Sequence, residues 1–181
     1  GVAGRTVLVN GCGPIGLMNV ASARALGATR IIACDINPLR LATAEKMGAD
    51  RAVNAAEEDL QTSVMDMTGG AGVDVAIEYS GTEAGFNACF EALSKGGDFR
   101  LVGPPPTAIP VDFTHWVVKC PEMQNIHGRR IWDNWQVASE LVSTGAVDLG
   151  PIHSHSLSIK DGPSGFELIR EGKALKPLIV P

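Results

Sequence analysis

The stretch Thr6–Gly16, TVLVNGCGPIG, decides the fold of this 181-residue chain. It opens with a β-branched, apolar run, which is typical of a buried strand. Three glycines follow in the spacing G-x-G-x-x-G, and Pro14 stands where the first turn of a helix tolerates a missing N–H. The stretch therefore predicts a strand, a tight turn and a helix in direct succession.

The three glycines of this turn have separate predicted roles. Gly11 permits the sharp change of direction, Gly13 lets the backbone approach a pyrophosphate, and Gly16 allows helix and strand to pack closely. The helix start at Pro14 and Ile15 would offer N–H groups and a partial positive charge to the phosphates. These five residues are the first predicted cofactor contacts. The alternative is that the glycines serve packing alone.

An acidic residue ends the next predicted strand, Arg30–Asp35 (RIIACD), 19 positions after Gly16. A carboxylate at this place accepts hydrogen bonds from the adenosine ribose hydroxyls and repels a 2′-phosphate. Asp35 therefore predicts NAD, rather than NADP, as the cofactor. Its alternative role is to cap the next helix. Arg40 lies five residues further on, where it would cover the adenine face or cap the helix start.

Strand patterns alternate with helical patterns along the rest of the chain. Further strands are predicted at Arg51–Asn54, Val73–Tyr79, Asp98–Val102 and Met123–His127, with a turn at Gly96-Gly97. Strands separated by helices must run parallel. Six of them in two three-strand halves predict an α/β fold with a doubly wound, six-stranded parallel sheet, the Rossmann fold. We expect this domain to span residues 1–150, and residues 151–181 to form a strand–helix–strand return segment.

Ligands of such sheets bind outside the carboxyl ends of the strands. This rule adds three weaker cofactor candidates, one after each strand of the second half. They are Ser80-Gly81, Val102-Gly103 and Ile126-His127. Their alternative role is simply to turn the chain, because loops after strands are often rich in glycine.

The composition excludes several classes of partner. The net charge of −5 leaves no basic excess for nucleic acid, and no apolar run reaches the roughly 18 residues of a membrane span. The four cysteines, Cys12, Cys34, Cys89 and Cys120, lie far apart and include no Cys-x-x-Cys pair. We therefore expect reduced thiols and a cytoplasmic location.

Several segments together resemble the cofactor-binding domain of the zinc-dependent medium-chain alcohol dehydrogenases. They are TVLVNGCGPIGLMNVASARALGA (6–28), IIACDINPLRLATAEKMGADRAVN (31–54), VDVAIEYSG (73–81) and LSKGGDFRLVGPPP (93–106). The later stretch from Asn125 to Lys173, beginning NIHGRRIWDNWQ, is similar to the L-threonine 3-dehydrogenase branch of that family. The resemblance covers essentially the whole chain.

The resemblance implies hydride transfer between NAD and a secondary alcohol, either threonine-like or a polyol. It assigns the glycine turn, Asp35 and Arg40 to NAD, and the three later loops to the ribose and nicotinamide. It also implies subunit pairing through the Met123–His127 edge. In the family, zinc is held by a Cys and a His-Glu pair in a preceding catalytic domain, and this sequence contains no His-Glu dipeptide. Zinc is therefore expected only in that missing domain.

The sequence begins at Gly1 rather than Met, and its first predicted strand starts within six residues. We therefore expect the cofactor half of an enzyme, which binds NAD(H) without turnover by itself. The alternative is a stand-alone NAD(H)-binding module that senses redox state or scaffolds a partner without catalysis.

Overall fold

The computed structural model describes residues 1–128 and 130–181, and within them the dominant element is a six-stranded sheet. Its strands are β1 (Thr6–Asn10), β2 (Arg30–Asp35), β3 (Arg51–Asn54), β4 (Val73–Glu78), β5 (Leu93–Leu101) and β6 (Glu122–Asn125). Their order is β3-β2-β1-β4-β5-β6, and every neighbouring pair is parallel. This confirms the predicted doubly wound α/β fold.

Helices connect the strands and cover both faces of the sheet. They are α1 (Pro14–Ala25), α2 (Pro38–Lys46), α3 (Leu60–Thr68), α4 (Glu83–Ala92), α5 (Phe113–Lys119) and α6 (Asp133–Ser143). Local chemistry sets the starts of several of them. The Asn37 side chain, for example, accepts hydrogen bonds from the backbone N–H groups of Leu39 and Arg40, and Pro38 occupies the first position of α2.

Two buried clusters lie on opposite faces of the sheet because side chains alternate along each strand. In β1, Val7 and Val9 point into the cluster beneath α1 and α2, whereas Leu8 points into the cluster beneath α3 and α4. Both faces are thus apolar, as a parallel sheet with helices on each side requires. The strand ends that carry loops are left accessible at the edge of this layered core.

The predicted turn at Gly96-Gly97 is wrong, because both glycines lie inside β5. Leu93 pairs with Val73 and Asp98 with Val75, so the strand accommodates a bulge between these two pairings. Gly72 makes the close approach possible, since a Cβ there would lie 2.8 Å from the carbonyl oxygen of Ala92. Leu93 is buried as a result of this pairing.

The second half of the sheet ends in an exposed edge. β6 ends at Asn125, so the predicted strand Met123–His127 is shifted and His127 lies outside it. All four residues of β6 are exposed, and every side chain of α5 and α6 is exposed or half-buried. No helix in residues 1–128 and 130–181 has the length and apolarity needed to cross a membrane.

The C-terminal residues form a small second sheet of two parallel strands. It contains β7 (His153–Ser158), α7 (Gly162–Arg170) and β8 (Lys176–Val180). Ile152 and Leu175 flank these strands and lie buried in the same cluster as Val7 and Val9. The Asn37 amide donates a 2.9 Å hydrogen bond to the carbonyl oxygen of Gly172. The return segment is therefore attached both to the core and to the start of α2.

Candidate functional site

The turn between β1 and α1 has room only for glycine at two places. Gly11 has a φ of +94°, and a Cβ on it would lie 2.7 Å from the backbone nitrogen of Ser80. A Cβ on Gly16 would lie 2.0 Å from the carbonyl oxygen of Gly11. A Cβ on Gly13 would meet nothing within 4 Å, so this glycine faces open space. The turn thus packs tightly on its inner side and is open on its outer side.

The start of α1 faces this open space. Gly13 is the N-cap residue and provides no side-chain hydrogen bond, and Pro14 follows it. The first N–H groups of a helix have no partner within the helix, and they carry the positive end of its dipole. The outer side of the turn is therefore suited to an anion.

Asp35 lies directly opposite the glycine turn, and only 5% of its side chain is exposed. Its Oδ2 accepts a 2.7 Å hydrogen bond from the backbone N–H of Cys12, inside the turn. Its Oδ1 accepts hydrogen bonds from the N–H groups of Ile36 and Asn37, at 2.8 and 3.0 Å. Arg40 completes the set through an ion pair of 3.3 Å between Nη1 and Oδ2. The carboxylate therefore has four donors, about as many as it can accept.

A cleft of about 800 Å³ runs along the carboxyl ends of the first strands. Many predicted cofactor contacts line it, namely Gly11, Gly13, Pro14, Ile15, Gly16, Asp35, Arg40 and Ser80. Its size falls within the range of small-molecule and cofactor sites. The glycine turn, Asp35 and the loop after β4 therefore share one cavity.

Five of the predicted contacts do not line this cleft. They are Gly81, Val102, Gly103, Ile126 and His127. The first three belong to two loops in direct contact, because a Cβ on Gly103 would lie 2.6 Å from the backbone nitrogen of Gly81. Ile126 and His127 are exposed and follow the edge strand β6. The structure thus brings the loops after β4 and β5 together beside the cleft and leaves the loop after β6 further along the sheet.

Three carboxylates surround the end of the cleft near β2 and β3. Asp35 is joined in its lining by Glu58 and Asp59, which precede α3. Desolvation opposes ionisation of Glu58, but hydrogen bonding from Ser63 and the charge of Arg51 lower its pKa. The backbone N–H and hydroxyl of Thr62 lower the pKa of Asp59. Glu58 and Asp59 are therefore ionised at neutral pH, and their negative charge adds to that of Asp35 at this end.

A buried carboxylate that the sequence analysis missed lies beneath Asn10 and Ser80 of the cleft lining. Glu78 ends β4 and has no exposed surface. Its side chain accepts hydrogen bonds from Asn10, Ser80 and Gly81. The available signal was a lone acidic residue at the end of the otherwise apolar run VAIE, where an ionisable group requires hydrogen-bond partners.

Burial raises the pKa of the two thiols near the cleft, Cys12 and Cys34. Desolvation by burial, followed by the negative charge of Asp35, raises the pKa of Cys12 far above its usual range and that of Cys34 to about 12. Across residues 1–128 and 130–181, no group of three or more His, Cys, Asp or Glu side chains is placed to hold a metal ion. The described residues therefore do not fit a zinc centre.

A parallel sheet with a glycine turn and an opposing acid at its carboxyl edge defines a dinucleotide-binding type of domain. The sequence profile of the zinc-binding dehydrogenases matches residues 14–144, and the chain belongs to that family.

The chain is 40% identical to an L-threonine 3-dehydrogenase from Bacillus velezensis, over 99% of this chain and 52% of that protein. It is 38% identical to the L-threonine 3-dehydrogenase of Thermococcus kodakarensis, with the same coverage. Among solved structures it is similar to alcohol dehydrogenase TADH from Thermus sp. ATN1, with a TM-score of 0.91 and 31% identity over 98% of this chain and 52% of that one. The chain thus spans about half the length of the curated relatives it matches.

Proposed function

We propose that this chain is the NAD(H)-binding unit of a dehydrogenase that acts on a secondary alcohol. The observation that carries the proposal is the hydrogen bond between Asp35 and the glycine turn at the mouth of an 800 Å³ cleft. The turn offers backbone N–H groups to a pyrophosphate, and the carboxylate beside it is placed to accept ribose hydroxyls. NAD bound there would supply the hydride chemistry.

The residues of this chain bind and orient the cofactor. Gly13 would leave space for the pyrophosphate. Gly11 and Gly16 allow α1 to pack close to β1, so that the start of α1 lines the cleft. Asp35 would accept the ribose hydroxyls in place of Arg40, the most distant of its four donors. Arg40 is one-third exposed and therefore able to move aside and cover the adenosine.

The charge of the cleft supports NAD over NADP. A 2′-phosphate would lie next to Asp35 and near the ionised Glu58 and Asp59, with Arg40 as the nearby lining cation. These carboxylates would disfavour the phosphorylated cofactor, because its extra negative charge would be transferred from water to a site with negative neighbours.

The proposed function of the whole enzyme includes a substrate class and a metal site. The relatives named above are threonine and alcohol dehydrogenases, which supports a threonine-like or polyol alcohol as substrate. Because the described residues do not fit zinc, we assign the family's metal to a catalytic domain supplied by other residues. We divide the chain into the cofactor domain, 1–150, and the return segment, 151–181, whose exposed Phe166 and Ile179 would pack on that catalytic domain.

The proposed assembly is a homo-oligomer that pairs through the edge of the sheet at β6. Its exposed backbone edge lies beside Met123 and Ile126 and follows the exposed Phe113 and Val117 of α5. An uncovered edge strand with apolar neighbours is suited to pairing with a second copy. The buried free thiols Cys12, Cys34 and Cys89 support a reducing compartment such as the cytoplasm.

Cofactor titration of the chain tests this function. We expect NADH to raise the melting temperature and to show enhanced nicotinamide fluorescence on binding, with NADPH at least about tenfold weaker because of the carboxylates. We also expect no oxidation of threonine or butanediol by this chain alone. Absence of NADH binding, or equal binding of NADPH, would contradict the cofactor assignment. Zinc-dependent turnover by this chain alone would contradict the assignment of the metal to a separate catalytic domain.

A further inference from the structure

The Glu78 side chain connects the end of β1, just before the glycine turn, to the loop after β4. Its Oε1 accepts hydrogen bonds from the Ser80 backbone N–H at 2.7 Å, from the Ser80 hydroxyl, and from the Asn10 amide at 3.4 Å. Its Oε2 accepts the Gly81 N–H at 3.0 Å. Asn10 is the last residue before the glycine turn. One side chain therefore contacts both segments.

The main chain of Glu78 extends this connection to a third segment. Its carbonyl oxygen accepts hydrogen bonds from the N–H groups of Val102 and Gly103, both at 2.9 Å. The backbones of Gly81 and Gly103 are in contact, as described above. The loops after β4 and β5 therefore depend on the same residue for their position.

A carboxylate is the side chain that suits this position. Four donors point at its two oxygens, and an ionised carboxylate accepts all of them. A glutamine has the same shape, but its NH₂ group would face N–H or O–H donors and leave at least one of them unsatisfied. There is also little room to adjust, because a Cβ on Gly85 would lie 2.2 Å from Ser80 Oγ and 2.9 Å from Glu78 Oε1.

The sheet order indicates which half of the cofactor would depend on these loops. With the adenosine ribose at the end of β2 and the pyrophosphate at the end of β1, the rest of the dinucleotide must extend away from β2. In the order β3-β2-β1-β4-β5-β6, that direction leads over the ends of β4 and β5. The nicotinamide half would therefore lie against the loops that Glu78 holds.

We propose that Glu78 is a positioning residue that fixes the Ser80-Gly81 and Val102-Gly103 loops for the nicotinamide half of the cofactor. This inference rests on the proposed NAD(H) function. It predicts that a change at Glu78 weakens NADH binding while leaving the binding of the adenosine half unchanged. A residue with only a structural role would alter the melting temperature and either weaken both ligands equally or weaken neither.

The test compares NADH with AMP, which spans only the adenosine side, in the wild-type chain and in Glu78→Gln. We expect the Kd of NADH to rise about tenfold or more, because a buried donor is left unpaired, and the Kd of AMP to change by less than about twofold. Ser80→Ala is the milder variant, since it removes the hydroxyl donor but keeps the backbone N–H. We expect it to weaken NADH by about two- to fivefold with AMP unchanged.

The outcomes separate the two proposals. If the wild-type chain binds neither ligand, the proposed function fails. If the wild-type chain binds both and the variants lose NADH and AMP in parallel, or lose neither, the positioning role of Glu78 is wrong. If Glu78→Gln does not fold, the same comparison with Glu78→Asp decides the matter. Ser80 itself lines the cleft, whereas Glu78→Asp keeps a carboxyl group and withdraws it from its donors.

Discussion

Asp35 accepts a 2.7 Å hydrogen bond from the backbone N–H of Cys12, so the acid after β2 is joined to the middle of the glycine turn after β1. The same carboxylate therefore holds the turn in shape and presents its charge to the cleft. Both consequences belong to a single side chain that is almost fully buried. A substitution at Asp35 should alter the shape of the site as well as its cofactor preference.

Asp35→Asn should reduce the preference for NADH over NADPH by about tenfold or more, because the repulsion of the 2′-phosphate is removed and Arg40 loses its ion pair. The affinity for NADH should also fall, because asparagine has one carbonyl oxygen where Asp35 has two acceptor oxygens for the surrounding donors. The measurement is the Kd of each cofactor by fluorescence titration. Asp35→Asn/Arg40→Ala is the matched control, and it should lose the gain toward NADPH if Arg40 pairs with the phosphate. An unchanged ratio in the single variant would contradict the electrostatic explanation.

Gly16→Ala and Gly13→Ala should separate packing from ligand binding. The new methyl group at position 16 would lie 2.0 Å from the Gly11 carbonyl oxygen, so we expect a loss of about 1–3 kcal/mol in unfolding free energy, together with loss of NADH binding.

At position 13 the methyl group meets nothing within 4 Å, and the φ of −63° suits alanine. The free energy of unfolding of Gly13→Ala should therefore lie within about 0.5 kcal/mol of the wild-type value. The variant should nevertheless bind NADH poorly, because its methyl group fills the space of the pyrophosphate. Denaturant unfolding and NADH titration check both variants. Tight NADH binding by a stable Gly13→Ala chain would show that the pyrophosphate lies elsewhere.

Burial of Cys34 should make the fold sensitive to alkali. Its pKa is raised from 9.0 to about 12 by desolvation and by Asp35, so above pH 9 the unfolded chain releases a proton that the folded chain keeps. Stability from this group is fully present below about pH 9 and is lost as the pH rises toward 12, by up to roughly 1.4 kcal/mol per pH unit.

Cys34→Ala should therefore show a shallower decline of unfolding free energy than the wild type when urea titrations under reducing conditions are compared at about pH 8.5 and 10.5. Cys120→Ala is the control, because this thiol is exposed. Only the slopes are compared, since the cavity left by Cys34→Ala lowers stability at every pH. Identical slopes in all three proteins would contradict the effect of burial.

Local sequence rules predicted the part of the molecule that depends on local chemistry. The apolar run before Gly11, the glycine spacing and the acid at the end of β2 predict the start of the cleft. The alternation of strands and helices predicts the doubly wound parallel sheet. The Asn37-Pro38 start of α2 was predictable for the same reason.

The missed features depend on contacts between segments distant in sequence. Gly96-Gly97 is typical of a turn, but pairing of Leu93 with Val73 holds these glycines inside a bulged strand. No sequence motif indicated the role of Glu78, because its hydrogen-bond donors come from Asn10 in another strand as well as from the loop beside it. The acidic end of the cleft at Glu58 and Asp59 exists only because β2 and β3 are neighbours.

The burial of Ile152 and Leu175 among the side chains of β1 and β2 has a consequence for protein engineering. A graft that exchanged residues 151–181 between relatives would replace side chains in the hydrophobic core as well as a peripheral appendage. It would also replace Gly172, whose carbonyl oxygen receives the Asn37 amide at the start of α2. Chimeric enzymes made at this boundary would therefore need complementary substitutions beneath the sheet and at Asn37 to retain a well-packed interior.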